Sequence, residues 1–271
     1  MNNFSIIIVA KDACNKIGCV LQSLENLTDD IVVCDTGSAD NTVSIAKNYG
    51  ARVYSIPWEG YGKSKNAAAR FAKYNWILSL DADEKPDAEL YSTLKKWQPQ
   101  EDTIVYQLKL KNFLGNTWIK HSDWGANWKN RLFNKHIVKW DDAIAHEGLI
   151  ADVPLKKMQL SGYLEHYSFI DEADHIKKMI NYANLMALKY HQKEKASNFL
   201  HIILSPLYNF IKTYFFKSGF RDGRNGWMIA KTKAYYTYLK YKKLKELNDN
   251  KKRSGGRNST LMDINFKEQK G

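Results

Sequence analysis

Through the first hundred residues, short apolar runs alternate with segments whose apolar residues recur at helical spacing. Residues 5–10 read SIIIVA, a run without a polar break, as in a strand buried on both faces. Ile17, Val20, Leu21, Leu24 and Leu27 follow at helical spacing. Residues 31–34 form the next buried strand, and 41–49 a helix with Asp40 at its N-cap. Residues 52–55 predict a short strand, 63–73 an Ala-rich helix, 76–80 (WILSL) a fourth strand, and 86–97 a helix with Pro86 in its first turn. Four strand-then-helix units predict an α/β fold: a parallel sheet with helices on both faces.

Past residue 100 the pattern changes. Residues 104–110 alternate as a half-exposed strand does, and short strands are expected near 131–134, 144–147 and 164–167. Residues 171–195, 198–217 and 226–247 read as helices, the second interrupted by Pro206. From Asn248 the chain is polar and Gly/Ser-containing, which predicts a disordered tail over 248–271. Apolar residues make up 44% of the 271 and charged ones 26%, which excludes collagen-like and largely disordered chains. Three cysteines, Cys14, Cys19 and Cys34, form no CxxC pair, so neither a zinc site nor a disulfide framework is expected. The opening apolar run is short and follows no basic segment, so no signal peptide is expected. No stretch reaches the roughly 18 apolar residues of a membrane-spanning helix.

The net charge of +12 is uneven, because residues 187–271 hold 19 Lys and Arg against 6 Asp and Glu. Such a segment attracts an anionic partner, a membrane surface or nucleic acid. No nucleic-acid motif accompanies it. Its aromatics fall in amphipathic runs, FLHIILSPLYNFIKTYFF (199–216) and KTKAYYTYLKYKKLKE (231–246), which suit the plane of an anionic leaflet. A helical pair packed on the rest of the chain, or a homo-oligomer contact, is the other reading.

A parallel sheet binds ligands at the carboxyl ends of its strands. Lys11 and Asp12 follow the first strand, Asp35 the second, Asp81 and Asp83 the fourth. The first turn, AKDACNKIG, lacks GxGxxG, and no GxxxxGK[ST] occurs, so dinucleotide and P-loop sites are not indicated. The sequence LDADE (80–84) puts three carboxylates in four residues, an arrangement stable only beside a cation or a strong set of donors. Hard oxygen ligands of this kind suit Mg²⁺ or Mn²⁺ bridging a diphosphate; a solvated acidic turn would look the same. In CDTGSADNT (34–42), Asp35 either shapes the loop or accepts hydrogen bonds from a nucleobase or ribose.

The ordered set SIIIVAKD, DIVVCDTGSADNTVSIAKNYGARVY, GYGKSKNAAARFA and WILSLDADE resembles family 2 glycosyltransferases, which have the GT-A fold. NRLFNK (130–135), AHEGL (145–149), LEHYSF (164–169) and PLYNFIKTYFFKSGFRDGRNGW (206–227) resemble, more narrowly, bacterial lipopolysaccharide-core glycosyltransferases. The resemblance spans about residues 4–247. It implies a Rossmann-like, mostly parallel sheet flanked by helices, with a catalytic domain over 1–170; residues 171–247 are then a helical, basic extension, the segment whose charge and aromatic runs suit a membrane surface. Residues 1–110 would be the donor half and 111–170 the acceptor half.

The resemblance further implies an inverting, metal-dependent transfer from a nucleotide-sugar donor, a UDP-sugar, to a lipid-linked glycan acceptor such as lipopolysaccharide core. A capsule or exopolysaccharide precursor, or a protein side chain, is the alternative acceptor. A non-enzymatic nucleic-acid-binding protein is the remote alternative. Asp12, Asp35, Lys65, Asp81 and Arg131 would bind the donor, Asp83 and His166 the Mg²⁺ or Mn²⁺. Lys11-Asp12 stands where the family has Asn-Glu. Glu147, flanked by apolar residues, would be the base that deprotonates the acceptor hydroxyl; Asp123, Asp141 and Asp142 are the other candidates. Trp124, Trp128 and Trp140 could stack on acceptor sugars. The protein is expected to be cytoplasmic, peripheral at the inner face of the cytoplasmic membrane.

Overall fold

The computed structural model describes residues 3–125, 127–141 and 148–253. These fall into two compact units: residues up to Lys120 with Trp124–Ile170, and His121–Asp123 with Asp171 onward.

The first unit opens with β1 (Phe4–Ala10), α1 (Cys14–Ser23), β2 (Ile31–Asp35), α2 (Thr42–Asn48), β3 (Arg52–Ser55), α3 (Tyr61–Arg70) and β4 (Trp76–Asp81). β1 runs parallel to β2 on one side and β4 on the other, with Ala10 opposite Asp35 and Val9 opposite Asp81. The unbroken apolar run of β1 is explained by its two covered faces. Ile6 and Ile8 pack with Ile17 and Leu21 of α1, whereas Ile7 packs with Ala68 of α3 and Ile77 of β4. Fully burying each such side chain stabilises the fold by roughly 1.5–3 kcal/mol.

The chain continues through β5 (Glu84–Pro86), α4 (Ala88–Lys96), β6 (Ile104–Leu114), β7 (Thr117–Trp118), β8 (Trp128–Asn134), β9 (Lys139–Trp140), β10 (Leu149–Ile150) and β11 (Lys156–Phe169). The main sheet has the order β3-β2-β1-β4-β8-β6-β11-β5. It is parallel through its first four strands and mixed beyond, because β8 runs antiparallel to both β4 and β6 while β11 runs parallel to β6. Pro86 ends β5 instead of starting a helix; Asp87 caps α4 by accepting the Leu90 N–H at 2.9 Å. β11 is 14 residues long, well beyond the expected 164–167. Its polar first half is held by pairing with β6, with a register shift between Gln159 and Tyr163. Gly162 sits in that shift at φ +91°, with its α-hydrogen side against the backbone of Leu90.

The second unit contains α5 (Glu172–Gln192), α6 (Phe199–Ile211) and α7 (Gly223–Arg253). Asp171 caps α5 through the Asp174 N–H, and Asn198 caps α6 through the His201 N–H. Pro206 lies inside α6 without ending it, although an interior proline removes one hydrogen bond and crowds the carbonyl four residues earlier. A π-helical turn, Lys212–Phe216, and a 3₁₀ turn, Gly219–Asp222, join α6 to α7. α7 runs on past Asn248, where the sequence predicted the tail to start. Among the described residues no helix is long and apolar enough to cross a membrane.

Candidate functional site at the carboxyl edge of the sheet

β1, β2 and β4 end side by side, so the loops after them meet. Asp12, at φ +47°, accepts the Ala39 N–H at 2.8 Å and donates its own N–H to Ser38 Oγ at 2.9 Å. Asp35 is 6% exposed and accepts from Gly37 N, Ser38 N and Ser38 Oγ. Asp12 thus ties the first two loops together, and Asp35 shapes its own loop. Asp40 accepts the Cys14 and Thr42 N–H groups, tying α1 to α2 in the same way.

The acidic turn after β4 has a different environment. Arg131, brought in by β8, points one nitrogen, Nη2, at both Asp81 Oδ2 (2.9 Å) and Glu84 Oε1. Lys65, on α3 and 2% exposed, lies 3.1 Å from Asp81 Oδ1. Glu84 is fully buried, and its Oε2 accepts the Asp81 N–H at 3.0 Å. Lys16, on α1, bonds the Tyr167 and Ser168 carbonyls at 2.7 and 3.2 Å and lies 3.4 Å from Asp83 Oδ2. The three carboxylates are thus answered by the chain's own cations, and the cluster is close to neutral.

His166 reaches this turn through register: β11 pairs antiparallel with β5, His166 opposite Glu84. Its Nδ1 lies 2.8 Å from the Asn112 side-chain oxygen, an acceptor, so that nitrogen donates. Its Nε2 lies 2.7 Å from Ser168 Oγ and 3.5 Å from Asp83 Oδ1.

Burial works to raise the Asp81 carboxyl, but the charges of Arg131 and Lys65 overrule it and hold it far below the usual carboxylate range. Asp83 is likewise held low, burial being outweighed by His166 and Lys16. His166 is raised, because the hydrogen bond to Asp83 and the surrounding carboxylates outweigh burial. Glu84 is raised, burial prevailing over Arg131.

Of the residues expected from the sequence, Lys65, Asp81, Asp83, Arg131 and His166 come together here. Asp12 and Asp35 stand at the neighbouring loops. Glu147 and Asp142, with the strand expected over 144–147, lie outside the described residues. Asp123 belongs to the second unit. There burial is outweighed by Lys217, Lys233 and Thr213, which hold its carboxyl low, a poor base. Trp140 is core, edge-on to Phe133 at 4.8 Å, and Trp124 stacks on Phe169 at 5.0 Å; Trp128 is half-exposed under Lys109. Sequence reasoning missed Lys16 and Asn112 as members of the site and gave Glu84 no role of its own. Glu84 had a signal in the LDADE run itself. Lys16 and Asn112 had none, since only the fold brings α1 and β6 to this turn.

The family model for Glycosyl transferase family 2 matches residues 5–149, a span that holds every strand end and loop just described up to the β9–β10 connection. The chain is a family 2 glycosyltransferase. An uncharacterized glycosyltransferase of Rickettsia prowazekii is 28% identical over 262 residues, covering 91% of this chain and 88% of the relative. A lipopolysaccharide core biosynthesis glycosyltransferase, LpsC, of Rhizobium meliloti is 26% identical over 230 residues, covering 82% of this chain and 84% of the relative. Among solved structures, glucosyl-3-phosphoglycerate synthase of Mycobacterium tuberculosis, crystallised with Mn²⁺ and UDP, matches at 23% identity with a TM-score of 0.33. That match spans 42% of the glycosyltransferase and 45% of the synthase, too partial to speak for ligands.

Proposed function

We propose that this glycosyltransferase moves a sugar, with inversion, from a UDP-sugar to a lipid-linked glycan of the lipopolysaccharide-core type. The observation that carries the donor half of the reading is the Asp81–Glu84 turn, placed by β4 at the carboxyl edge and set against Lys65, Arg131, Lys16 and His166. The likeness to LpsC supports the acceptor class.

A divalent cation fits the turn through Asp83 and His166. Both side chains are partly exposed, and a carboxylate oxygen and an imidazole nitrogen stand 3.5 Å apart. Among the described residues no group of three protein ligands gathers. Mg²⁺ and Mn²⁺ sites on nucleotides need no more than one or two, because phosphate oxygens and water complete the shell. A bound cation would act as a Lewis acid, stabilising charge on the leaving diphosphate. Asn112 orients His166 from behind, as outer-shell partners of metal-ligating histidines do. A near-neutral carboxylate cluster suits a donor diphosphate that arrives with its charge already offset.

Arg131 acts by fixing Asp81 and Glu84, being too buried to reach the diphosphate. Lys65 holds Asp81, which faces the donor ribose. Asp12 serves the base and ribose through the two loops it ties together, and Asp35 through the loop it shapes. Glu147 is the proposed base for the acceptor hydroxyl. Residues 1–110 form the donor half, 111–170 the acceptor half, and 171–247 an extension working at the cytoplasmic face of the membrane.

The test is calorimetric titration of UDP, GDP and their sugars, with and without Mn²⁺, into the wild type and Asp83→Ala. Metal-dependent binding of a uridine nucleotide, weakened about 100-fold or more in Asp83→Ala, is expected; that factor is about 2.7 kcal/mol. Equal metal-dependent binding by both proteins would refute the site.

A further inference from the structure

The most exposed apolar surface of the second unit lies on α6 and the turn after it. None of the side chains of α6 is buried, and the helix contains no Lys, Arg, Asp or Glu. Its most exposed large residues are Phe199, Leu200, Ile203, Leu204, Leu207 and Tyr208. They recur at i, i+1, i+4, i+5, i+8 and i+9, which at 100° per residue covers about half the circumference of the helix. The stripe continues into the π-helical turn, where Phe216 is 79% exposed. Contiguous apolar surface of this kind marks an interaction site.

The charges around the stripe select the partner. Lys212 follows α6 directly, its ammonium 5.6 Å over the Tyr208 ring. Arg221 and Arg224 follow and are exposed, the Arg224 side chain to 90% although it lies 3.7 Å from Glu172; Lys217, between them and α6, is paired with Asp123. Against a second copy of this chain, a self-complementary contact would bring the same cations face to face. An anionic surface meets them favourably. Thirteen residues at 1.5 Å each give about 20 Å, short of the ~30 Å hydrocarbon core, so the helix suits the plane of a leaflet.

We propose that the exposed face of α6 and its following turn docks onto an anionic lipid bilayer, its apolar side chains entering the leaflet and Lys212, Arg221 and Arg224 meeting headgroup phosphates. The purpose of this contact, delivery of the enzyme to a lipid-linked acceptor, rests on the function proposed above; the contact itself does not.

The experiment is co-sedimentation of the full chain with phosphatidylglycerol/phosphatidylcholine vesicles and with pure phosphatidylcholine vesicles, with no nucleotide present. Wild type is expected to bind the anionic vesicles at least tenfold more tightly than the neutral ones, and less tightly as salt rises. Leu204→Glu/Leu207→Glu, at exposed positions, should lose at least tenfold in binding while keeping its circular dichroism spectrum and its nucleotide titration. Lys212→Glu/Arg224→Glu should remove most of the preference for anionic vesicles. Absence of vesicle binding by the wild type overturns the proposal, as does unaltered binding by both variants. A dimer in sedimentation velocity that Leu204→Glu/Leu207→Glu dissolves, without vesicle binding, would assign the face to a second copy instead. Vesicle binding by a protein with no affinity for uridine nucleotides would leave this proposal standing and remove the UDP-sugar reading of the site.

Discussion

Replacing Arg131 by methionine removes the cation that makes Glu84 tolerable. Arg131 is 7% exposed and Glu84 fully buried, and the two are joined through Nη2. Removing one partner of a buried ion pair costs about 3–5 kcal/mol, because the other charge stays desolvated. The Asp81 side chain adds little, since it is 35% exposed and keeps Lys65 at 3.1 Å. The expected loss is therefore near the lower end, about 3 kcal/mol, or a melting temperature lower by about 6–12 °C for a unit of this size. Glu84 is already raised by burial, and without Arg131 it rises further. A carboxyl whose folded pKa exceeds its unfolded value contributes full stability below the unfolded pKa and loses it as pH rises through the folded one. The Arg131→Met deficit should thus be larger at pH 8 than at pH 5. Glu84→Gln in the same background removes the stranded charge yet keeps an acceptor for the Asp81 N–H, and should recover more than half the loss. The assay is urea unfolding by tryptophan fluorescence at both pH values. A single variant within about 1 kcal/mol of wild type, or a double variant no better than the single, would refute the reasoning.

Three further substitutions test the fold. An Ala Cβ at Gly162 would lie 2.2 Å from the Leu90 nitrogen, whereas at Gly37, φ +95°, it would meet nothing within 4 Å. Gly37→Ala should cost about 1–2 kcal/mol from backbone strain alone, and Gly162→Ala at least that much again from the clash with α4; equal costs in thermal unfolding would contradict the close approach. His175, 2% exposed in α5, is pushed down to about 4 by burial. Its unfolded pKa is about 6.5, so its contribution is present above pH 6.5 and lost as pH falls toward 4, on the order of 3 kcal/mol in all. His175→Gln should flatten the pH dependence of α5 unfolding between those values, and an unchanged slope in acid titrations followed by circular dichroism would count against it.

The local alternation of buried strands and amphipathic helices was legible from sequence, and β3 lies where the pattern put it, at Arg52–Ser55. Misreadings fell where local pattern is weak. In the first half of β11 (KKMQLSGY) only Met158 and Leu160 alternate with polar neighbours, a signal two residues long, and pairing with β6 orders it. Pro206 looked like a break and is not one, because the rest of α6 supplies the helix around it. At the site, the LDADE run announced a charge problem but not its solution.

By itself, the sequence determined the β/α order, the acidic turn at the end of β4 and the basic, aromatic second unit, because spacing and composition are local properties. Only the tertiary structure decided what answers those carboxylates. Arg131 reaches Glu84 because β8 pairs with β4, and His166 reaches Asp83 because β11 pairs with β5. It likewise decided that Asp35 spends its oxygens on its own loop and that α6 leaves its apolar face uncovered. Strand register and helix packing join residues far apart in the chain, and the energy that selects them comes from burial and charge pairing that no short segment contains.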